Sequence, residues 1–316
     1  TNAAVNADHD ANLNAGTTLT INSPITAKNN AILTAGTDLL ANSDVTAKNA
    51  KLSADNDVNV SGKVEATELA ELNAKHDALV SGEVKAKDAK LTADNDVNVS
   101  GKVEAEQTAD VKAQGNAIVS GSVIGVDKVD ITSANKNINL ASADAVVQAK
   151  TINLSAKENI TEVYDLEKET GSKLITNYTT IEEGVEVYNQ GQLTINNGGT
   201  LDLGSKNNML GIVNINNTSA QADNVIKLGN TGNADLELTI KNEAVSDKKV
   251  AGSIDVHNYE SAKEEQYNDV YVNEIYAKGD LKLTNDEDTD YADIDRYGIF
   301  IGKIPQYRLG TEEKEY

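Results

Sequence analysis

The chain has 316 residues, 39% hydrophobic and only 4% aromatic, with a formal charge of -22 and no cysteine. That charge sets most of the surface against nucleic acid, anionic lipid and sulfated glycans. The missing thiols exclude disulfide frameworks, thiolate metal sites and cysteine nucleophiles. A single Phe (Phe300) and no Trp leave Val, Ile, Leu and Ala to build a core, and two arginines, Arg296 and Arg308, offer no clamp for phosphate or carboxylate.

The chain opens "TNAAVNADHD", with no initiator Met and no charged-then-apolar leader, so it reads as a piece of a longer protein or a processed form. No apolar run approaches the ~18–20 residues that span a membrane. From about residue 10 a repeat sets in. Leu13, Leu33, Leu52, Leu72, Leu91, Val111 and Ile131 form one apolar column. Leu19, Leu39, Val58, Ala78, Val97, Ala117 and Ile138 form a second, and Ile25, Val45, Val64, Val84, Val103 and Val123 a third. Ala27, Ala47, Ala66, Ala86 and Ala105 follow the third column by two residues. "KNAKLSADNDVNVSGKVEA" from Lys48 returns as "KDAKLTADNDVNVSGKVEA" from Lys87, one double unit later. The glycines of the Ser-Gly pairs, Gly62, Gly82, Gly101 and Gly121, show that this double unit is two units of unequal length.

A fixed period of about 20 residues marks a solenoid. Within a unit, apolar and polar residues alternate in three short runs: Ala50, Leu52 and Ala54; Val58 and Val60; Val64 and Ala66. Period two means strand, and the intervening Asp, Asn, Ser and Gly mean turns. The expected fold is therefore all-β, a right-handed parallel β-helix with about 20 residues and three short strands per coil; the hand rests on the general crossover rule. "ATELAELNAKHDALV" has a helical look but lies in the same frame, so it too reads as strand. Gly62 and its equivalents are expected at a corner that needs positive φ.

After Val123 the spacing drifts to about 22, with "KVDITSANKNI" (128–138) and "KTINLSAKENI" (150–160) one unit apart. All eleven tyrosines lie from Tyr164 onward. This divides the chain into 1–160, a regular stalk, and 161–316, a Tyr-containing continuation with longer loops. Strand signals persist in "GQLTINNGGTLDL", "LGIVNINN", "DLELTIKN" and "DVYVNEIYAKGDLKLTND", while "EKETG" and "YESAKEEQYND" are expected to leave the coil. About fifteen coils at ~4.8 Å would make a rod near ~70 Å.

The phrases "LNAGTTLTINSPITAKNNAILTAGTDLLANSDVTAKN" and "LSADNDVNVSGKVEA" resemble the repeats of filamentous haemagglutinin-like exoproteins, and "GQLTINNGGTLDLG" resembles autotransporter passenger repeats. The resemblance implies a virulence-associated adhesin, secreted or on the cell surface of a bacterium through type V secretion. It also implies an outer-membrane barrel transporter as export partner and a host-cell or bacterial surface receptor, protein or glycan, as target. Absent cysteine fits threading an unfolded chain through a pore.

Chemistry-bearing residues are sparse. His9, His76 and His257 lack obvious convergent partners, and His76 falls where other coils carry Asn56, Asn95 or Gly115. Asp55 and Asp57, then Asp94 and Asp96, recur coil by coil, as a solvated corner would and a glycosidase acid pair would not. Asp286, Asp288 and Asp290 alternate as in a hard-cation loop, but Tyr291 and Tyr297 stand where an EF-type loop needs Gly and Glu. No catalytic residue, metal or other cofactor is therefore assigned, and the chain is expected not to be an enzyme. Tyr259, Tyr267, Tyr271 and Tyr276 crowd one segment and are the candidate binding residues, since exposed Tyr on loops over a rigid scaffold is a common contact. The expected function is stalk and binding surface in attachment to host cells or other bacteria. The alternatives are the shaft of a contact-dependent toxin-delivery filament and a carbohydrate-active β-helix enzyme.

Overall fold

The computed structural model describes residues 1–182, 185–218, 225–231, 235–242, 253–259, 269–276, 280–286 and 299–301. Among them there is no helix; the chain winds into stacked coils whose strands pair in parallel with those of the next coil. Three ladders run along the stack. The first starts with Val5–Ala7, the second with Ala11–Ala15 and the third with Leu19–Ile21. The third is an uninterrupted 12-stranded sheet that ends at Leu281–Asn285.

The columns read from the sequence are the columns of the fold. Leu33 pairs with Leu52, Leu52 with Leu72 and Leu72 with Leu91. In the third ladder, Val58 pairs with Ala78 and Ala78 with Val97. Leu33, Leu52, Leu72, Leu91, Ile131 and Leu154 are fully buried. Each such side chain contributes roughly 1.5–3 kcal/mol. Inward Ala positions beside them keep the corners narrow.

In the middle coils the first two ladders fuse into single strands, Val45–Ala54, Lys63–Ala74, Glu83–Ala93 and Lys102–Ala113, each bent at a register shift. The shift explains the unequal units. Two residues, Lys48 and Asn49, connect Ala47 to Ala50, whereas three, Thr67, Glu68 and Leu69, connect Ala66 to Ala70. Two again separate Ala86 from Ala89, and three separate Ala105 from Ala109. A bulge absorbs one residue without turning the strand over, so coils alternate in length while every inward residue keeps its place.

Two expectations change. Gly62, Gly82, Gly101 and Gly121 have no positive φ; they are glycine because a Cβ would strike the backbone of the coil beneath, for Gly82 the carbonyl oxygens of Gly62 and Ser61. The Val60 carbonyl accepts both the Ser81 and Gly82 N–H groups, which pulls the corner onto its neighbour. Second, among the described residues the third ladder has twelve strands, against the expected fifteen or so coils, because later turns are longer. Ile160 pairs with Leu201, Leu201 with Ile226, and Ile226 with Ile254. Eleven rises of ~4.8 Å make ~53 Å. The first ladder also thins after Lys173–Ile175 to an isolated bridge between Ile175 and Met209. There buried amides take over: Asn208 Oδ1 accepts the Leu174 N–H and Asn230 Oδ1 the Leu210 N–H.

Among the described residues, two antiparallel hairpins leave the coil. Tyr164–Asp165 pairs with Thr170–Gly171, which places "EKETG" at its turn, and Asn177–Glu182 pairs with Val185–Gln190. "YESAKEEQYND" lies outside the described residues beyond its first and last positions.

Candidate functional site

Outward residues of the third ladder change character along the stack. In the last coils the central column reads Asp202, Lys227, Asp255, Lys282. Lys227 Nζ lies 3.4 Å from Asp202 and Lys282 Nζ 3.9 Å from Asp255. The Asp202 carboxylate is the first cause of the raised Lys227 pKa. Opposite charges on neighbouring strands attract, modestly at an exposed face.

The first hairpin turns this face into a groove. Asp165 Oδ1 accepts the Glu167 and Lys168 N–H groups, 3.1 Å each, which nucleates the turn. Glu169 takes φ 57° to close it, and Lys206 reaches its carboxylate at 2.6 Å. The Tyr164 ring lies across the Gly204 backbone, where a Cβ would meet its hydroxyl at 2.6 Å, and that hydroxyl donates to Asp202 Oδ1 at 3.1 Å. Across the floor, His257 and Tyr259 stack with centroids 3.7 Å apart and planes 15° apart. His257 Nε2 is 2.8 Å from Asp286. Burial first, then Tyr164, raises the Tyr259 pKa. The groove encloses about 220 Å³ between aromatic faces and Asp–Lys pairs. Rings for apolar faces and paired charges for hydroxyls make a surface suited to contact.

Of the four candidate tyrosines, Tyr259 lines this groove. Tyr271 sits on the second ladder, is 6% exposed and donates its hydroxyl to Asp269 at 3.1 Å; burial, then Asp269, pushes its pKa up to about 12. It is therefore not an exposed contact residue. Tyr276 ends the same strand, and Tyr267 lies outside the described residues, as do Asp288 and Asp290. The residues that complete the groove, Tyr164, Asp202, Lys227 and His257, come from four segments. Only the coil register brings them together, so sequence spacing could not group them.

Two other clusters carry ionisable groups. His76 is a corner residue, its Nδ1 2.8 Å from Asp57 and 3.4 Å from Asp77. The hydrogen bond to Asp57, then Asp77, raises its pKa. The three could offer ligand atoms to one cation. Glu162 occupies an inward position between Leu140 and Leu203 in the stack and is 9% exposed. Its Oε1 accepts Ser205 N–H (2.6 Å) and Asn208 Nδ2 (3.1 Å), and its Oε2 accepts Ser172 Oγ (2.9 Å). Burial pushes its pKa up to about 8 against these three donors. It ties the base of the hairpin to the next coil and faces the interior, away from any substrate.

None of the described residues forms a helix long and apolar enough to cross a membrane. Compared with known proteins, the chain matches no family model, no curated protein and no solved structure.

Proposed function

We propose that this chain is the shaft and binding surface of a surface-exposed bacterial adhesin. The coil stack acts as a rigid stalk, and the groove under the Tyr164–Gly171 hairpin contacts a receptor on host cells or other bacteria. The observation that carries this reading is the groove itself. A hairpin that adds nothing to the repeat is anchored by a buried carboxylate and folds a tyrosine over a charged, aromatic floor. Loops held on a rigid scaffold are where binding concentrates. The resemblance of the N-terminal repeats to exported adhesins agrees with it.

The test is adhesion of cells or beads that display the chain. Tyr259→Ser removes an outer-face ring and leaves the buried columns intact, so its thermal unfolding should match the parent. Adhesion to host epithelial cells or partner bacteria should fall several-fold. Unchanged adhesion with unchanged unfolding retires the groove.

A further inference from the structure

The outward column of the third ladder has a different pattern in the first coils. It reads Leu40, Asn59, Leu79, Asn98, Ile118, Asn139, strictly alternating across six consecutive coils. All six are half-buried. Core packing does not require this, because these side chains point away from the core. The nineteen-residue duplication accounts for Asn59 and Asn98, which are its equivalent positions, but not for the apolar residues between and beside them, since Leu40, Leu79 and Ile118, like Asn139, lie outside the copies.

The alternation has a chemical effect. Where asparagines occupy successive coils, their amides satisfy one another: Asn230 donates to Asn258 and Asn258 to Asn285, 2.8 Å each. Interposed Leu and Ile deny Asn59 and Asn98 that ladder. Neither amide has a hydrogen-bond partner, and Asn98 Oδ1 is buried without one. An unmet amide in a half-buried site is costly unless something else meets it. Around these residues lies a shallow groove of about 270 Å³ spanning four coils. One edge is a column of carboxylates, Asp57, Asp77 and Asp96, whose Oδ1 atoms are engaged by the next coil's backbone.

We propose that this face binds a linear glycan of neutral or amine-bearing sugars lying along the coil axis. The amides return every two coils, ~9.6 Å. A β-1,4-linked chain in which each pyranose turns over relative to the last shows the same hydroxyl edge at every second ring, and one ring with its linkage is about one coil rise long. Asn59 and Asn98 then meet successive hydroxyl edges, and Leu40, Leu79 and Ile118 meet the C–H faces between them. An extended peptide returns to the same side every ~6.7 Å and falls out of step within two repeats. The carboxylate edge repels uronic or sulfated polymers. The face is separate from the tyrosine groove, so either can fail alone.

The experiment is calorimetric titration of the whole chain with cellohexaose, chitohexaose, glucosamine hexamer and polygalacturonate. At least one of the first three should bind and polygalacturonate should not. N59L/N98L should weaken that binding at least tenfold with unchanged circular dichroism. Leu79→Asn bridges the two amides into a ladder, so it should weaken binding equally without loss of thermal stability. Tyr259→Ser should leave it unchanged. No binding of any of the three hexamers, equal binding of polygalacturonate, or N59L/N98L within twofold of the parent overturns the proposal.

Discussion

Gly82 lies directly over the Gly62 carbonyl, with the Ser61 carbonyl oxygen 2.6 Å from where a Cβ would stand. Backbone on both sides leaves nothing to yield, so Gly82→Ala must push two coils apart. We expect a loss of about 1–3 kcal/mol, read as a lower urea midpoint. Ser81→Ala beside it, which forfeits only a 3.5 Å bond to Val60, should cost about 0.5 kcal/mol or less. Glu162 makes a pH prediction. Its pKa in the fold, about 8, lies above the ordinary 4.5. The folded chain therefore holds this proton longer than the unfolded chain. The stability it contributes is complete below 4.5, shrinks as pH rises and is gone above about 8. Glu162→Gln keeps an acceptor for Ser205 and Asn208, turns an amide N–H toward Ser172 Oγ, which must then accept instead of donate, and cannot titrate. Between about pH 4.5 and about pH 8 the parent should lose stability relative to E162Q. Parallel curves would show that the carboxylate is ionised throughout.

At the scale of the strand, the bulged corner and the three-residue strand tolerate change differently. Deleting Thr67 shortens the three-residue connection between Ala66 and Ala70 to the two residues found between Ala47 and Ala50. The coil becomes one of its shorter neighbours, and we expect thermal unfolding within a few degrees of the parent. Deleting Leu79 moves Val80 from the inward to the outward face of its strand, because side chains alternate with period two. That variant should unfold at a markedly lower temperature or fail to fold. The same alternation explains what the sequence could and could not disclose. Leu52, Leu72 and Leu91 announce themselves because a column must present one shape upward and downward, and the apparent helix in "ATELAELNAKHDALV" gave way to that frame. The corner glycines were legible as corners, but their cause, close approach rather than φ, required the coil beneath them. Past Ile160 the period breaks where hairpins are inserted. A tyrosine 38 residues before its partner aspartate, Tyr164 and Asp202, leaves no local trace. Tyr259 and Tyr271 are near in sequence, yet they project from different ladders.

Across the whole molecule, the proposed function draws on a ruler-like core wrapped in an acidic exterior. Aliphatic columns fix the rise per coil, corner Asp and Asn side chains bond coil to coil, and outward positions are not constrained by the core. Both proposed faces depend on that fixed rise. The glycan face needs two coils to match two rings, and the tyrosine groove needs Tyr164, Lys227 and Tyr259 held in register. The chain has no native cysteine, so paired spin labels can measure the rise directly. Thr20→Cys combined in turn with Cys at Asn98, Thr161 and Lys227 separates the labels by four, seven and nine coils of the third ladder. Electron–electron resonance should give narrow distances near ~19, ~34 and ~43 Å, linear in coil number. A Thr20–Lys227 distance no longer than the Thr20–Asn98 distance would contradict the stacked-coil account and both binding faces with it.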